Sequence, residues 1–204
     1  MCFHFNFHQT AEKVSERFQA EYKQGELLTP AHFNGFSFPQ TPVILDEKPQ
    51  LIQPINWGLI PFWAKDKSIQ KYALNAKIET LTEKPSFRNS VNKRCLIIAN
   101  SFWEWQWLDP KGKNKQKYEI SKADDELFAF GGIWAEWTNK TTGEIIKSYS
   151  IITTAANDLM AKIHNTKKRM PLILNREEEL TWLNGSDFSD FKERAVNLIA
   201  VEAY

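Results

Sequence analysis

The stretch CLIIANSFWEWQW, residues 95–107, carries the fold. It is apolar and rich in β-branched and aromatic residues, which favour a pleated, half-buried strand over a helix. Strand alternation places Trp103 and Trp105 on one face and Glu104 on the other. Working outward, QKYEIS (116–121), LFAFGGIWAEW (127–137) and IKSYSIITTA (146–155) read as further strands. DPKGKNK (109–115) and TNKTTGE (138–144) lie between them, and their Gly and Asn permit hairpin turns, so antiparallel pairing follows.

The flanks differ in texture. Thr10 followed by AEKVSERFQAEYK predicts a capped helix over 11–23, with Ala11, Val14, Phe18 and Tyr22 on one face. From Pro30 to Pro61, six prolines interrupt short apolar runs, which suits edge strands and irregular connections. Asn157 is placed to cap a helix through DLMAKIH, REEELTWLN predicts another with acids in its first turn, and NLIAVEAY reads as a last strand. The expected fold is α+β: a single strand-rich domain over 1–204, mainly an antiparallel sheet closing toward a barrel, with peripheral helices.

With 204 residues and 42% hydrophobic content, the chain is long enough for one sizeable core. Eight Trp, fourteen Phe and five Tyr either fill that core or offer stacking surfaces for bases. A net charge of +1 gives no global field to hold a polyanion, so any nucleic-acid affinity needs a local patch. Residues 63–94 supply one, with eight Lys and Arg against three acids, a surplus of five; residues 176–202 are acidic, with seven acids against three bases. Two cysteines and no signal peptide argue for free thiols in a reducing, cytoplasmic setting. No apolar run approaches the roughly 20 residues that span a bilayer.

Several residues invite chemistry. On position alone, Cys2 is a small residue in a frayed end. With Met1 removed it would carry an α-amine and a thiol on adjacent carbons, with ordinary pKa values of about 7.7–8.0 and about 8.5. That pair suits an aldehyde: the amine forms a Schiff base, and the thiol closes onto the same carbon as a five-membered thiazolidine. Glu104 is either a solvent-facing strand glutamate or a carboxyl in an apolar surround with a raised pKa, able to shuttle protons. His164 ends a predicted helix, where a dipole-stabilised histidine is the plain alternative to a catalytic one. His4 and His8 share a spacing that invites a metal, but no carboxylate or cysteine stands at a usual ligand spacing, and no metal or other cofactor is expected. NAKIET (75–80) and SFRNS (86–90) bring Asn75, Lys77 and Arg88 into the basic stretch, with Phe62 and Trp63 as stacking candidates; the alternative is a solvated charged face.

Taken in order, seven segments resemble the SOS response-associated peptidase family, the abasic-site processing proteins: Met1-Cys2, WGLIPFWAKD (57–66), NAKIET, CLIIANSFWEW (95–105), FAFGGIWAEW (128–137), YSIITTAAN (149–157) and IHNTKKRMPLIL (163–174). The resemblance implies a protein that recognises abasic sites in single-stranded DNA and crosslinks to them through Cys2. It implies that Asn75 orients the sugar or the amine, that Glu104 acts as acid and base, and that His164 assists ring opening and reversal. Lys77, Arg88 and Arg169 would contact DNA, with Pro39, Phe62 and Trp63 bordering its path. One site per lesion needs only a monomer. Three departures stand out: Phe3-His4 where the family usually has Gly-Arg, a lysine in NAK for arginine, and the inserted Thr166-Lys167-Lys168 between His164 and Arg169. A cysteine peptidase using Cys2, autoproteolytic or broader, and a non-covalent single-strand binder remain as alternatives.

Overall fold

The computed structural model describes residues 2–22, 31–123, 127–192 and 195–203. Met1, Lys23 at the end of the expected first helix, Pro30, Glu193, Arg194 and Tyr204 lie outside the described residues. In chain order the elements are β1 (His4–Phe7), α1 (Ala11–Phe18), β2 (Glu21–Tyr22), β3 (Ala31–Asn34), β4 (Gln40–Leu45), β5 (Lys48–Trp57), β6 (Asn75–Lys77), β7 (Arg94–Ala99), β8 (Ser101–Trp107) and β9 (Lys115–Lys122). They continue with β10 (Phe128–Thr138), β11 (Ile145–Ala155), α2 (Asp158–Ile163), β12 (Arg169–Pro171), β13 (Ile173–Leu174), α3 (Arg176–Leu183) and β14 (Leu198–Ala203).

Strands β4, β7, β10 and β11 pair in antiparallel succession, and β4 also pairs with β5. β5 then meets β11 in a short parallel pairing, Ser148 with Asn56 and Tyr149 with Trp57, which closes the five strands into a ring. The expected barrel, mainly antiparallel with peripheral helices, is thus present. A second sheet, in the order β14-β9-β8-β1-β3, is antiparallel throughout.

The run 95–107 proves to be two strands rather than one. β7 is buried along its whole length because it lies between β4 and β10 in the barrel. At Asn100 the chain leaves the barrel and enters the second sheet as β8. The buried Asn100 holds this crossing: its N–H donates to Asn6 O at 2.9 Å, and its Oδ1 accepts from His8 N at 2.9 Å.

Helix α1 is shorter than its periodicity predicts. Thr10 caps it as expected, accepting from Lys13 N at 3.4 Å, but Gln19 turns left-handed at φ 49° and Tyr22 goes to β2 instead of the helix face. The Arg17 guanidinium grips Glu179 of α3 with contacts of 3.0 and 2.7 Å, so α1 is fastened to a neighbouring helix. Asn157 caps α2, accepting from Met160 N at 3.0 Å, and Asn175 with Glu178 forms a reciprocal cap on α3.

Aromatic rings join the two sheets. Phe130 of the barrel meets Phe5, Phe102 and Phe128 edge-on at centroid distances of 5.8, 5.8 and 5.2 Å. All four are fully buried, and such offset contacts add to what their burial contributes. Phe130→Ala would open a cavity under both sheets at once; an expected loss of about 3–5 kcal/mol is readable as a lower urea midpoint.

Candidate functional site

Cys2 stands two residues before β1, completely buried. Its thiol donates weakly to His4 O at 3.5 Å. β1 runs between β3 and β8 and buries Phe5 and Phe7, so the residue ahead of it is fixed in space rather than frayed. Asn75 donates from Nδ2 to the Cys2 carbonyl at 2.8 Å. Asn75 itself is held at the start of β6, which pairs with β11 at Ile151, and the preceding Leu74 O accepts from the Trp57 indole at 2.9 Å.

Glu104 is one residue past the paired His4 and Trp103, on the face of β8 turned inward, and is only 6% exposed. The solvent-facing alternative is therefore excluded. Burial raises its carboxyl pKa, against which the positive amino terminus and a 3.3 Å bond from Trp105 N pull downward. The Cys2 thiol is pushed far up, first by burial and then by the Glu104 charge, so it rests as the thiol.

His164 caps the C-terminal end of α2 and is buried, unlike a dipole-stabilised surface histidine. Its placement comes from Asn165, which sequence reasoning missed. Asn165 accepts from Trp107 N at 3.1 Å and donates to Trp107 O at 2.8 Å, imitating a strand neighbour and stitching the end of α2 to β8. The inserted Thr166-Lys167-Lys168 forms a tight turn, with Lys168 left-handed at φ 48° and its N–H donating to His164 O at 2.9 Å. The turn brings Arg169 N within 3.0 Å of His164 Nδ1, which accepts, so the ring proton sits on Nε2. Burial, helped by the positive amino terminus, pulls the His164 pKa down to about 4.

Glu104 and His164 line one cavity of about 230 Å³ with Phe3, Trp105, Trp107, Lys115, Thr166 and Lys167. The structure thus gathers the four residues Cys2, Asn75, Glu104 and His164 at one end of the second sheet. Of the other expected residues, Arg169 touches this cluster through its backbone N–H on His164, and none lines the cavity. Lys77 and Arg88 are exposed, as are Phe62 (63%) and Trp63 (44%). The Trp63 indole donates to Pro85 O at 3.2 Å, tying these rings to the 84–90 segment. Pro39 is half-buried, its carbonyl accepting from Trp57 N at 2.8 Å. Arg169 is engaged inside the protein, with Glu79 at 2.6 and 2.9 Å and Thr153 O at 2.6 Å. Arg94, counted in the basic stretch, is buried between Trp182 and Phe188 and leaves that surface to the other seven bases. Among the described residues no group of three His, Cys, Asp or Glu is arranged to hold a metal ion, and no helix is long and apolar enough to cross a membrane.

A family profile described as SOS response associated peptidase (SRAP) matches residues 1–202. The chain belongs to the SRAP family. Among SRAP relatives, the abasic site processing protein YoqW of Bacillus subtilis strain 168 is 40% identical over 187 residues, covering 90% of this chain and 80% of that protein. The abasic site processing protein HMCES of Pongo abelii is 30% identical over 168 residues, covering 68% of this chain and 47% of that protein. A crystal structure of a protein from Bacteroides thetaiotaomicron superposes with a TM-score of 0.89 at 36% identity, covering 100% of this chain and 92% of that one.

The low His164 pKa has a defined stability signature. An unfolded histidine titrates near 6.5 and the folded one near 4, so unfolding takes up a proton between those values. The stability that neutral His164 contributes is complete above pH 6.5 and is lost as pH falls toward 4. The urea midpoint of wild type should drop more between pH 7 and pH 4.5 than that of His164→Gln. Nitrogen-edited NMR should find His164 neutral, protonated on Nε2, at pH 6.

Proposed function

We propose that this protein senses abasic sites in single-stranded DNA and bonds to them through Cys2 once Met1 is removed, shielding the lesion. The observation that carries the reading is the fixed Cys2: its carbonyl held by Asn75, with a buried Glu104 close enough to raise its thiol pKa. The names of the relatives agree with this lesion class.

The chemistry uses Glu104 as the acid, since burial favours its protonated form. The free α-amine of Cys2 adds to the aldehyde of the ring-opened sugar, giving a carbinolamine. Protonated Glu104 gives its proton to the carbinolamine hydroxyl, which leaves as water, and an iminium forms. The Cys2 sulfur then bonds to the iminium carbon, the C=N electron pair returns to nitrogen, and the thiol proton passes to the Glu104 carboxylate. One water is lost and Glu104 ends as it began. Neutral His164, with its Nε2 proton, is suited to assist sugar ring opening and reversal. The exposed Lys77 and Arg88 with Phe62 and Trp63 supply charge and stacking for the strand on either side of the lesion.

On a denaturing gel with abasic single-stranded DNA, wild type should leave a heat-stable adduct and Cys95→Ala should keep it. Cys2→Ala should lose the adduct and, retaining an amine, cut the strand slowly by a lyase route instead; an intact adduct in Cys2→Ala would sink the mechanism. Glu104→Gln should slow adduct formation by on the order of a hundredfold or more.

The family description as a peptidase favours a second use of the same thiol, release of Met1 by the chain itself. Made in an extract without methionine aminopeptidase, wild type should then lose Met1 and Cys2→Ala should retain it, as read by intact mass.

A further inference from the structure

The loop between β3 and β4 keeps one phenyl ring packed and sets another in water. Gly35 lies against the Trp57 indole, where an added Cβ would stand 3.2 Å from the ring. Phe38 adopts φ 52°, a left-handed conformation rare for an aromatic residue, and its ring approaches Gly58 so closely that a Cβ there would stand 3.1 Å away. The loop closes on itself: Phe38 N donates to Gly35 O at 3.0 Å, Phe36 N to Asn34 Oδ1 at 3.1 Å, and Ser37 Oγ to Asn34 O at 2.7 Å. Gly35 N donates to Phe3 O at 2.8 Å, tying the loop to the residue that follows Cys2.

Phe36 is the aromatic residue this loop presents outward. It is 55% exposed and stacks on Phe3 with ring centroids 4.9 Å apart and planes 30° from parallel. Phe3 is also a wall of the cavity that holds Glu104 and His164. A stacked pair therefore runs from the cavity wall out to solvent, immediately beside Cys2. Because the loop is already ordered, a ring stacking on Phe36 would cost little conformational entropy.

We propose that Phe36, backed by Phe3, is the stacking platform for a nucleobase adjoining the lesion, and so sets a preference for the neighbouring base. This rests on the abasic-site reading above. An abasic site has no base of its own, so selectivity among sites has to come from its neighbours. A purine, with the larger face, should stack better than a pyrimidine.

The test uses single-stranded abasic oligonucleotides in which each nucleotide flanking the lesion is in turn a purine, a pyrimidine or a baseless propanediol spacer. At one flanking position wild type should form adduct about tenfold faster with a purine than with the spacer, the size of one base–aromatic stack. Phe36→Ala should level that difference and Phe36→Trp should keep it. Non-covalent binding by Cys2→Ala protein to an oligonucleotide with tetrahydrofuran, which has no aldehyde, at the lesion should quench 2-aminopurine at the same position, and adding Phe36→Ala should abolish the quenching. Full purine preference and full quenching in the Phe36→Ala proteins would overturn the proposal. If wild type forms no adduct with any oligonucleotide, the crosslinking reading fails, and the 2-aminopurine signal alone then decides the stacking.

Discussion

The burial of β1 is the constraint on which the site depends. A strand that begins at residue 4 would ordinarily be an edge that frays. Here it lies between β3 and β8, with Phe5 and Phe7 completely buried and Phe5 touching Phe130 of the barrel. The core that stabilises the whole chain therefore also fixes the position of Cys2. Asn75 completes the restraint from a third direction, through β6, which pairs with β11 of the barrel. If Cys2 reacts as proposed, it gains its precision from strand burial and one side-chain hydrogen bond.

The three ionisable groups beside this anchor all lean toward their uncharged forms. Burial raises Cys2 and Glu104 and lowers His164. Surroundings that disfavour charge suit a reaction that starts from a neutral amine, thiol and carboxylic acid better than one that starts from a thiolate. That distinguishes the proposed ring closure, in which the thiol surrenders its proton as it bonds, from hydrolysis by a pre-formed thiolate–imidazolium pair. A histidine titrating near 4 is a poor partner for such an ion pair at neutral pH.

The sequence made the strand content and the hairpins legible because both depend on local chemistry: β-branched and aromatic runs separated by Gly and Asn. Glu104 was legible as a residue facing away from Trp103 and Trp105, since alternation is a property of the strand alone. What local reasoning could not reach was tertiary. The run 95–107 reads as one strand, and only the partners of Asn100 show that it serves two sheets. The first helix keeps its apolar period as far as Tyr22, yet Gln19 ends it because Tyr22 has a pairing partner in β5. Asn165 has no sequence signature, since its role is to copy a backbone hydrogen-bond pattern across 58 positions.

The departures from the family pattern are where the structure adds most. The insertion after His164 looks disruptive in sequence, but its left-handed Lys168 turns the chain back so that Arg169 N reaches the imidazole and fixes its tautomer. Phe3 and His4 are likewise built in rather than tolerated. His4 bonds to His32 at 3.1 Å and stacks with it on the outer face, while Phe3 faces the cavity and supports Phe36. Arg169, by contrast, is spent on Glu79 and on the backbone of β11. The Phe3–Phe36 pair thus sets aromatic surface beside Cys2, while Lys115 and Lys167 keep positive charge on the cavity rim; on the abasic-site reading proposed above, the bases next to the lesion and the phosphates would both find partners there.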